Sequence, residues 1–524
     1  MSYRIVIPTA GTGSRLGQRT RYINKSLISV ANRPVISHII DQFPHDSEFV
    51  IALGYKGSLV REFLKLAYPE RSFYFAEVKP YEGQGSGLGY SLMCCKHYLQ
   101  QPFVFVSCDT LVRQHILPPD HNWIGCAEGE DLSSYRTVRH YNQDVQEIYE
   151  KGKAGAGHDI SAYIGLAGIK DYVEFWEAMQ LGGSVAIDQG EAYGLSVLLE
   201  RGSLKAHQFT WFDTGTPYTL EQAKSSYKLQ SEPNILDKEN EAIWFVSNNV
   251  IKFSADQEFI SNRVLRSSKL EGYIPNVTAS SDHMYCYPKV EGRVLSEVVT
   301  LPIFRSFLEH CREFWSQKTL SPQLQADFYS KCKYFYFDKT KARIELFYKN
   351  FNKRDGTEYI NDEEMPPLSS LLERVDWALL SQGLPGRFHG DFHFENILWN
   401  PQNETFTFLD WRQDFGGDLD VGDIYYDLAK LLHGLIISHE LIAANDFFVD
   451  WSDHEIRFDF HRKQVLVECE LFFSMWCNLN GYDYVRVKLI TAIIFLNISA
   501  LHHYPYSLLL YALGKRMLKL ELVS

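Results

Sequence analysis

A two-part α/β chain is predicted, on three observations. In residues 1–228 short apolar runs alternate with amphipathic stretches, the pattern of a mostly parallel sheet covered by helices on both faces. A polar stretch without hydrophobic periodicity, residues 225–241, then marks a boundary, with the linker placed at 229–241. From 242 to 524 the texture changes to a small β-rich lobe, about 242–300, and a helical lobe, about 301–524. The second part is therefore a two-lobed α+β unit.

In chain order, buried strands are predicted at Arg4–Pro8, Glu48–Leu53, Ser72–Glu77, 103–107 and Trp123–Ala127, because each is a short apolar run too brief for a buried helix. Residues 35–43 and 58–66 between them carry the helical period. Residues 242–253 form a hairpin turning at Ser247-Asn248-Asn249, followed by a helix over about 256–271 and a strand at 284–287. Beyond Leu301 long helical patterns dominate, with one β-like island at 405–409.

Composition narrows the function. The 524 residues are 45% hydrophobic, which excludes a disordered chain, and the net charge of −13 argues against a nucleic-acid wrapper. Nine scattered cysteines show neither zinc spacing nor a disulfide framework, as expected of a protein of the reducing cytoplasm. The longest apolar stretch, 489–501, is interrupted by Thr491, Asn497 and Ser499 and is too short to span a bilayer, so no membrane insertion is expected.

The first chemical constellation begins with TAGTGSRL, residues 9–16, directly after the first strand. Gly11, Thr12 and Gly13 form a tight loop whose N–H groups can approach phosphate oxygens, and Arg15 can offset their charge. Lys25 follows ten residues later in NKSLISVANRPVI. With Gln84-Gly85-Ser86-Gly87, Asp109 after FVFVSC, Glu150-Lys151, the Gly165 strand YIGLAGI and WFDTGTP around Asp213, this collinear set resembles the sugar-phosphate nucleotidylyltransferases and their phosphocholine cytidylyltransferase relatives. Asn-Lys-Ser stands where that family usually has Pro-Lys-Pro. The resemblance implies a Rossmann-like fold for residues 1–228, Gly11–Gly13 and Gln84–Gly87 as nucleotide-binding loops, and Glu150, Lys151 and Gly165 at the acceptor. Asp109 and Asp213 become Mg²⁺ ligands, because two polyanions brought together at an α-phosphorus need a hard cation between them. Arg15 and Lys25 stabilise the developing phosphate charge.

The second constellation is RFHGDFHFENILWN, residues 387–400, in which His389, Asp391 and Asn396 keep the H-x-D-x-x-x-x-N spacing of a kinase catalytic loop. Asp410 follows fourteen residues after Asn396 in FTFLDW, and Asp427 lies in GDIYYDLAKLLHG. These motifs resemble the aminoglycoside phosphotransferase and choline kinase family. The resemblance implies a bilobal kinase-like fold in which Asp391 takes or orients the proton of the attacking hydroxyl. Asn396 and Asp410 hold Mg²⁺ on ATP, while Lys252 and Tyr287 contact the nucleotide from the small lobe. His389 and Asp427 are expected to support the loop, and His393 to floor the pocket. The acid that pairs with Lys252 is not evident: Glu258 lies near, but Asn262 and Arg263 occupy the better positions. A late aromatic group, Trp451, Phe472, Phe473, Trp476 and Tyr482, fits either helix packing or a cage for a quaternary ammonium.

Together these imply a bifunctional enzyme. A kinase phosphorylates a small alcohol or sugar with ATP. A nucleotidyltransferase then joins the phosphomonoester to a nucleotide, CMP from CTP by preference, for surface polysaccharide or lipid decoration. The alternatives are a sugar-1-phosphate nucleotidylyltransferase using UTP, GTP or dTTP fused to a sugar kinase, or a non-catalytic nucleotide sensor. Oligomeric state stays open.

Overall fold

The structure, a computed structural model, describes residues 3–129, 132–153, 159–228, 238–452 and 454–523. The chain divides into two compact units, Met1–Ile260 with Thr278–Lys289, and Ser261–Val277 with Val290–Ser524. Of the predicted linker, residues 229–237 lie outside the described residues.

The first unit is built on a nine-stranded sheet. Ser72–Glu77, Glu48–Leu53, Arg4–Pro8 and Phe103–Val106 are parallel neighbours in that order. Helices Val35–Ile40, Gly57–Ala67 and Leu88–Cys95 lie between these strands in the chain. Ile5, Val6, Ile7, Val104 and Phe105 are wholly buried, so both faces are covered and the strands read as apolar runs rather than alternations. Beyond them the sheet is mixed, where the sequence predicts it mostly parallel. Ile160–Ile169 runs antiparallel to both Phe103–Val106 and Trp123–Ala127. What precedes it is a hairpin, Thr137–Tyr141 with Asp144–Tyr149, and not a crossover helix. Without a crossover helix the chain returns antiparallel.

The predicted hairpin forms as Glu241–Val246 and Asn249–Ser254, extended by Met284–Pro288 and Ala279–Ser280 into a four-stranded sheet. The sequence groups this sheet with the chain that follows; packing groups it with the first unit. Trp244 is fully buried, edge-on to Phe63 at 5.2 Å, and its indole N–H donates to Ser29 Oγ at 3.0 Å. Glu62 accepts from the Ser281 hydroxyl at 2.8 Å and the His283 N–H at 3.1 Å.

The second unit is mainly helical, around Ile424–Ile436, every residue of which is buried. Its β content exceeds the single predicted island. Thr405–Phe408 pairs with Ile397–Asn400 and, through it, with Arg293–Val294. A separate sheet orders Glu363–Met365, Glu358–Ile360, Glu455–Phe460 and Phe447–Trp451. The signal for it is the strict alternation of EIRFDF, which buries Ile456 and Phe458 and exposes Arg457 and Asp459. Among the described residues no helix is long and apolar enough to cross a membrane.

Candidate active sites

In the first unit the strand pair Thr110–Val112 and Trp211–Asp213 sets Thr110 opposite Asp213, which brings Asp109 beside the Asp213 turn. Thr214 locks the two segments together, its N–H and its hydroxyl both donating to the Asp109 carbonyl at 3.0 and 3.1 Å. Gly215 reports how tightly the groups converge. A carbon added at its Cβ position would stand 3.0 Å from Asp213 Oδ1, 3.4 Å from Arg15 Nη2 and 3.4 Å from Asp109 Oδ2. Two carboxylates and a guanidinium thus converge on one point, where a Cβ would crowd Asp213 Oδ1.

Lys25 joins them through a 3.0 Å ion pair from Nζ to Asp109 Oδ2. Burial alone would push the Asp109 carboxyl up, but Lys25 and the Ser107 hydroxyl hold it down at about 2. The Asp213 carboxyl is pushed up, by burial and then by the charge of Asp109, against bonds from the Gly215 N–H at 2.9 Å and the Thr219 hydroxyl at 3.1 Å. Asp213 also accepts from the Tyr135 hydroxyl at 3.2 Å. A half-buried acid pushed up by burial and by its neighbouring acid is the electrostatic signature of a pair suited to share a divalent cation.

Asn24 and Ser26 explain the departure from Pro-Lys-Pro. Fully buried Asn24 donates to the carbonyls of Thr9 at 2.9 Å and Tyr55 at 2.6 Å. Its Oδ1 accepts from the Ser26 N–H at 2.9 Å and hydroxyl at 2.8 Å. Asn24 thereby caps the short turn that carries Lys25 and ties it to the 9–13 loop. Gly13, at φ +66°, takes the left-handed turn of that loop, where a Cβ would meet Lys25 Cβ at 3.0 Å.

The other predicted positions lie apart from this cluster in character. Gln84, Gly85 and Ser86 form a turn closed by the Ser86 hydroxyl on the Gly83 carbonyl at 2.7 Å. Glu150 pairs with Arg136 at 3.3 Å, Lys151 is exposed, and Gly165 sits at the irregularity of its strand, its carbonyl accepting from the Ser107 N–H at 2.8 Å. Lys252 and Tyr287 are both buried and share one face of the four-stranded sheet, since Lys252 pairs with Tyr285 and Val250 with Tyr287.

In the second unit the catalytic-type loop is held from beneath. Asp427 accepts from the His389 N–H at 2.6 Å, the Gly390 N–H at 2.7 Å and the Trp315 indole at 3.2 Å. Burial pushes its carboxyl up to about 6. His389 is fully buried and, pushed by that burial to about 3, neutral. Its Nε2–H donates to the Leu409 carbonyl at 2.8 Å and its Nδ1 accepts from the Asp391 N–H at 3.2 Å, so it bridges the Asp391 loop to the Asp410 loop. Arg266, 1% exposed, clamps the same two loops through the carbonyls of Phe388 at 2.7 Å and Arg412.

Asp391 takes Lys430 Nζ at 2.8 Å on Oδ1 and faces His393 Nε2 at 3.5 Å across Oδ2. Burial would raise its carboxyl, but Lys430 and His393 hold it well below the usual range. His393 is itself raised to about 9: burial opposes its charge, and Asp391 and Glu395 outweigh it. Asn396 donates to the Asp391 carbonyl at 3.0 Å. Asp410 adopts φ +56°, rare for a residue with a side chain and common at functional sites, and pairs with Arg263 at 3.2 Å. Arg263, at a position where an acid paired with Lys252 is expected, is instead a cation that meets Asp410.

Asp391 and Asp410 open on one cavity of roughly 290 Å³, which Lys430, Arg412, Lys339 and Arg343 also line. No motif singles out these four cations in the sequence. Lys430 had a signal, lying one helical turn after Asp427 and so on the same helix face. None of the five late aromatics lines this cavity. Phe473 stacks on Trp476, Trp476 on Tyr482, and Trp451 holds the chain's own Lys353 at 4.5 Å.

A family model described as phosphotransferase enzyme family matches residues 336–460. No curated protein matches the chain. Among solved structures, a UDP-glucose pyrophosphorylase from Acinetobacter baumanii is 19% identical over 44% of this chain and 95% of its own, at a TM-score of 0.37. A CTP:phosphocholine cytidylyltransferase from Streptococcus pneumoniae is 14% identical over 44% of this chain and 100% of its own, at 0.36. The chain joins a part that resembles sugar-phosphate nucleotidylyltransferases by its motifs to a part matched by the phosphotransferase family model.

Proposed function

We propose that the chain is a bifunctional enzyme: an ATP-dependent small-molecule kinase whose phosphomonoester product is the acceptor for a nucleotidyltransferase in the same chain. The supporting observation is two separate carboxylate pairs set among cations, Asp109 and Asp213 around Gly215 in the first unit and Asp391 and Asp410 on one cavity in the second. The nucleotidyltransferase region is residues 1–228 and the kinase region 242–524, with Lys252 and Tyr287 as its nucleotide contacts.

At the kinase site Asp391 orients the acceptor hydroxyl and takes its proton as the oxygen bonds to the γ-phosphorus. Its low proton affinity fits a late transfer, once bond formation has made that hydroxyl strongly acidic. Lys430 faces the charge on the transferred group, and His389 and Asp427 keep the loop in register. At the other site an oxygen of the phosphomonoester attacks the α-phosphorus of a nucleoside triphosphate and pyrophosphate leaves. No protein base is needed, because the acceptor is already an anion. Lys25, kept protonated by Asp109, and Arg15 stabilise the charge that builds on the phosphates. The donor sets, Asp109 with Asp213 and Asn396 with Asp410, suit Mg²⁺, which when bound would offset phosphate repulsion at each site. CTP is the preferred donor, with UTP, GTP and dTTP as competitors, and the product is an activated donor for surface decoration.

The test is a ³¹P NMR series on the full chain with Mg²⁺, ATP and a pool of hydroxyl compounds. A monoester resonance should appear with ATP alone and become a diphosphodiester on adding one of the four nucleotides. A chain that binds nucleotide but forms neither product is a sensor, and the proposal then fails.

A further inference from the structure

The cavity beside Asp391 is cationic in a protein that is acidic overall. Five of its lining side chains are positive, Arg263, Lys339, Arg343, Arg412 and Lys430, against two carboxylates, Asp391 and Asp410. Each carboxylate is already matched, Asp391 by Lys430 at 2.8 Å and Asp410 by Arg263 at 3.2 Å. Lys339, Arg343 and Arg412 are left over. Among the described residues none of the three has a carboxylate within ion-pair reach. Arg412 Nε donates instead to the Asp414 carbonyl at 3.1 Å.

The local structure concentrates these charges. A π-helical turn, Tyr334–Asp338, precedes helix Lys339–Phe351 and interrupts the regular winding. Lys339 and Arg343 then lie one turn apart on the same helix face. The Phe335 ring carries two of the cations, with Lys339 Nζ at 4.2 Å and the Arg412 guanidinium at 4.9 Å from its centre. Ring faces attract cations but do not neutralise them. The crowding registers on Lys339, which burial and then the charges of Arg412, Arg343 and Lys430 push down to about 7 against the charge of Asp414. The lining from helix Tyr484–Ser499 is Ile493, Ile494, Asn497 and Ile498, none of which carries a counter-charge. Surplus half-buried cations without an ion-pair partner cost stability unless an anion completes the site.

We propose that this cavity is the acceptor pocket and that it takes a hydroxyl compound carrying an anionic group, a carboxylate or a phosphate, in place of a cationic amino alcohol. This rests on the kinase reading above. Lys339, Arg343 and Arg412 hold the anion while Asp391 holds the hydroxyl. The acceptor oxygen bonds to the γ-phosphorus of ATP, the bond from that phosphorus to the bridging oxygen breaks, ADP leaves with the electron pair, and the hydroxyl proton passes to Asp391. A cationic alcohol such as choline would meet repulsion from the same three groups. The acceptor passed on to the nucleotidyltransferase then bears an anionic group besides its new phosphate.

Four acceptors test it on the full chain with Mg²⁺ and ATP, by release of ADP: D-glycerate, glycerol 3-phosphate, glycerol and choline. Glycerate or glycerol 3-phosphate should exceed both others by about tenfold or more in kcat/KM, the value of one charge-assisted contact. The first two arms separate carboxylate from phosphate. Lys339→Gln with Arg343→Gln should raise KM for the anionic acceptor by a similar factor and leave KM for ATP unchanged. Preference for choline or glycerol overturns the proposal, and so does a rise confined to KM for ATP, which would assign the cations to the nucleotide. If no arm releases ADP, the kinase reading fails separately, and calorimetric titration with inorganic phosphate decides the pocket. Binding by the wild type that the double variant loses supports an anion site; no binding by the wild type overturns it.

Discussion

The two candidate sites use the same ingredients in different proportion: two carboxylates with Lys25 and Arg15 in the first, two carboxylates with five cations in the second. In the first unit Asp109 is paired with Lys25, and Asp213 is held by hydroxyls and an N–H and pushed up by its acidic neighbour. In the second unit each acid has its own cation, and three more cations stand over. An acid beside an acid calls for positive charge, which a divalent cation would supply. A cluster of cations around an already neutralised acid calls for negative charge, which an anionic ligand would supply. Paired-carboxylate motifs look alike in sequence, yet the surrounding charge assigns them different tasks.

The largest effects break the comparison cleanly. Asp391→Asn removes the group that orients and deprotonates the hydroxyl, and kinase turnover should fall by about 10³-fold. Asp213→Asn removes half of the other acid pair, and nucleotidyl transfer should fall by about 10²–10³-fold. Each half-reaction, followed by ³¹P NMR with its own substrates, should survive in the other variant. If Asp213→Asn also abolished phosphorylation of the acceptor, the sites would not be independent.

A smaller effect is expected at Asn24, which touches no reacting group but sets the turn bearing Lys25. Asn24→Ala leaves the Thr9 and Tyr55 carbonyls without their donor, and a displaced Lys25 should cost about tenfold in nucleotidyl transfer. Asn24→Asp keeps the acceptor for Ser26 but loses the donor, so it should not rescue. An unchanged rate in Asn24→Ala would show that Asp109 alone places Lys25.

Much of this arrangement is legible in the residues. Arg4–Pro8, Glu48–Leu53 and Trp123–Ala127 are strands because each is a brief apolar run, and burial on both faces leaves no alternation to confuse them; Ser72–Glu77, at the sheet edge, buries only Ala76 fully. The sheet formed by Glu358–Ile360 and Glu455–Phe460 is not so evident, since its partners lie about a hundred residues apart and surrounding helical patterns mask one short alternating run. In the sites, local motifs place Asp109, Asp213, Asp391 and Asp410 in the chain. Lys339, Arg343 and Arg412 carry no motif, because only the tertiary fold brings one helix face to a loop seventy residues later. Asn24 was visible only as a departure from proline, and its meaning lies in two carbonyls that the fold supplies.

The finest test of the comparison is the pH dependence of the surplus charge. Lys339, at about 7, is faced by Arg343 on its own helix, Arg412 and Asp414 on the loop after Asp410, and Lys430 on the buried helix. Its proton affinity is lowered in the folded protein, so this group favours the folded state most at high pH, and that contribution is lost as pH falls through about 7. Binding of an anion runs the other way, because it needs the ammonium. Between pH 6 and pH 8 the protonated fraction of Lys339 falls from about nine-tenths to about one-tenth. A carboxylate acceptor such as D-glycerate stays ionised throughout, and Asp391, far below the usual carboxylate range, does not titrate there. KM for that acceptor should therefore rise severalfold across the window while KM for ATP stays level. Lys339→Arg, whose guanidinium keeps its proton, should flatten the profile. A slope that persists in Lys339→Arg would place the titration elsewhere, and a wild-type profile already flat would mean that Arg343 and Arg412 carry the anion without Lys339.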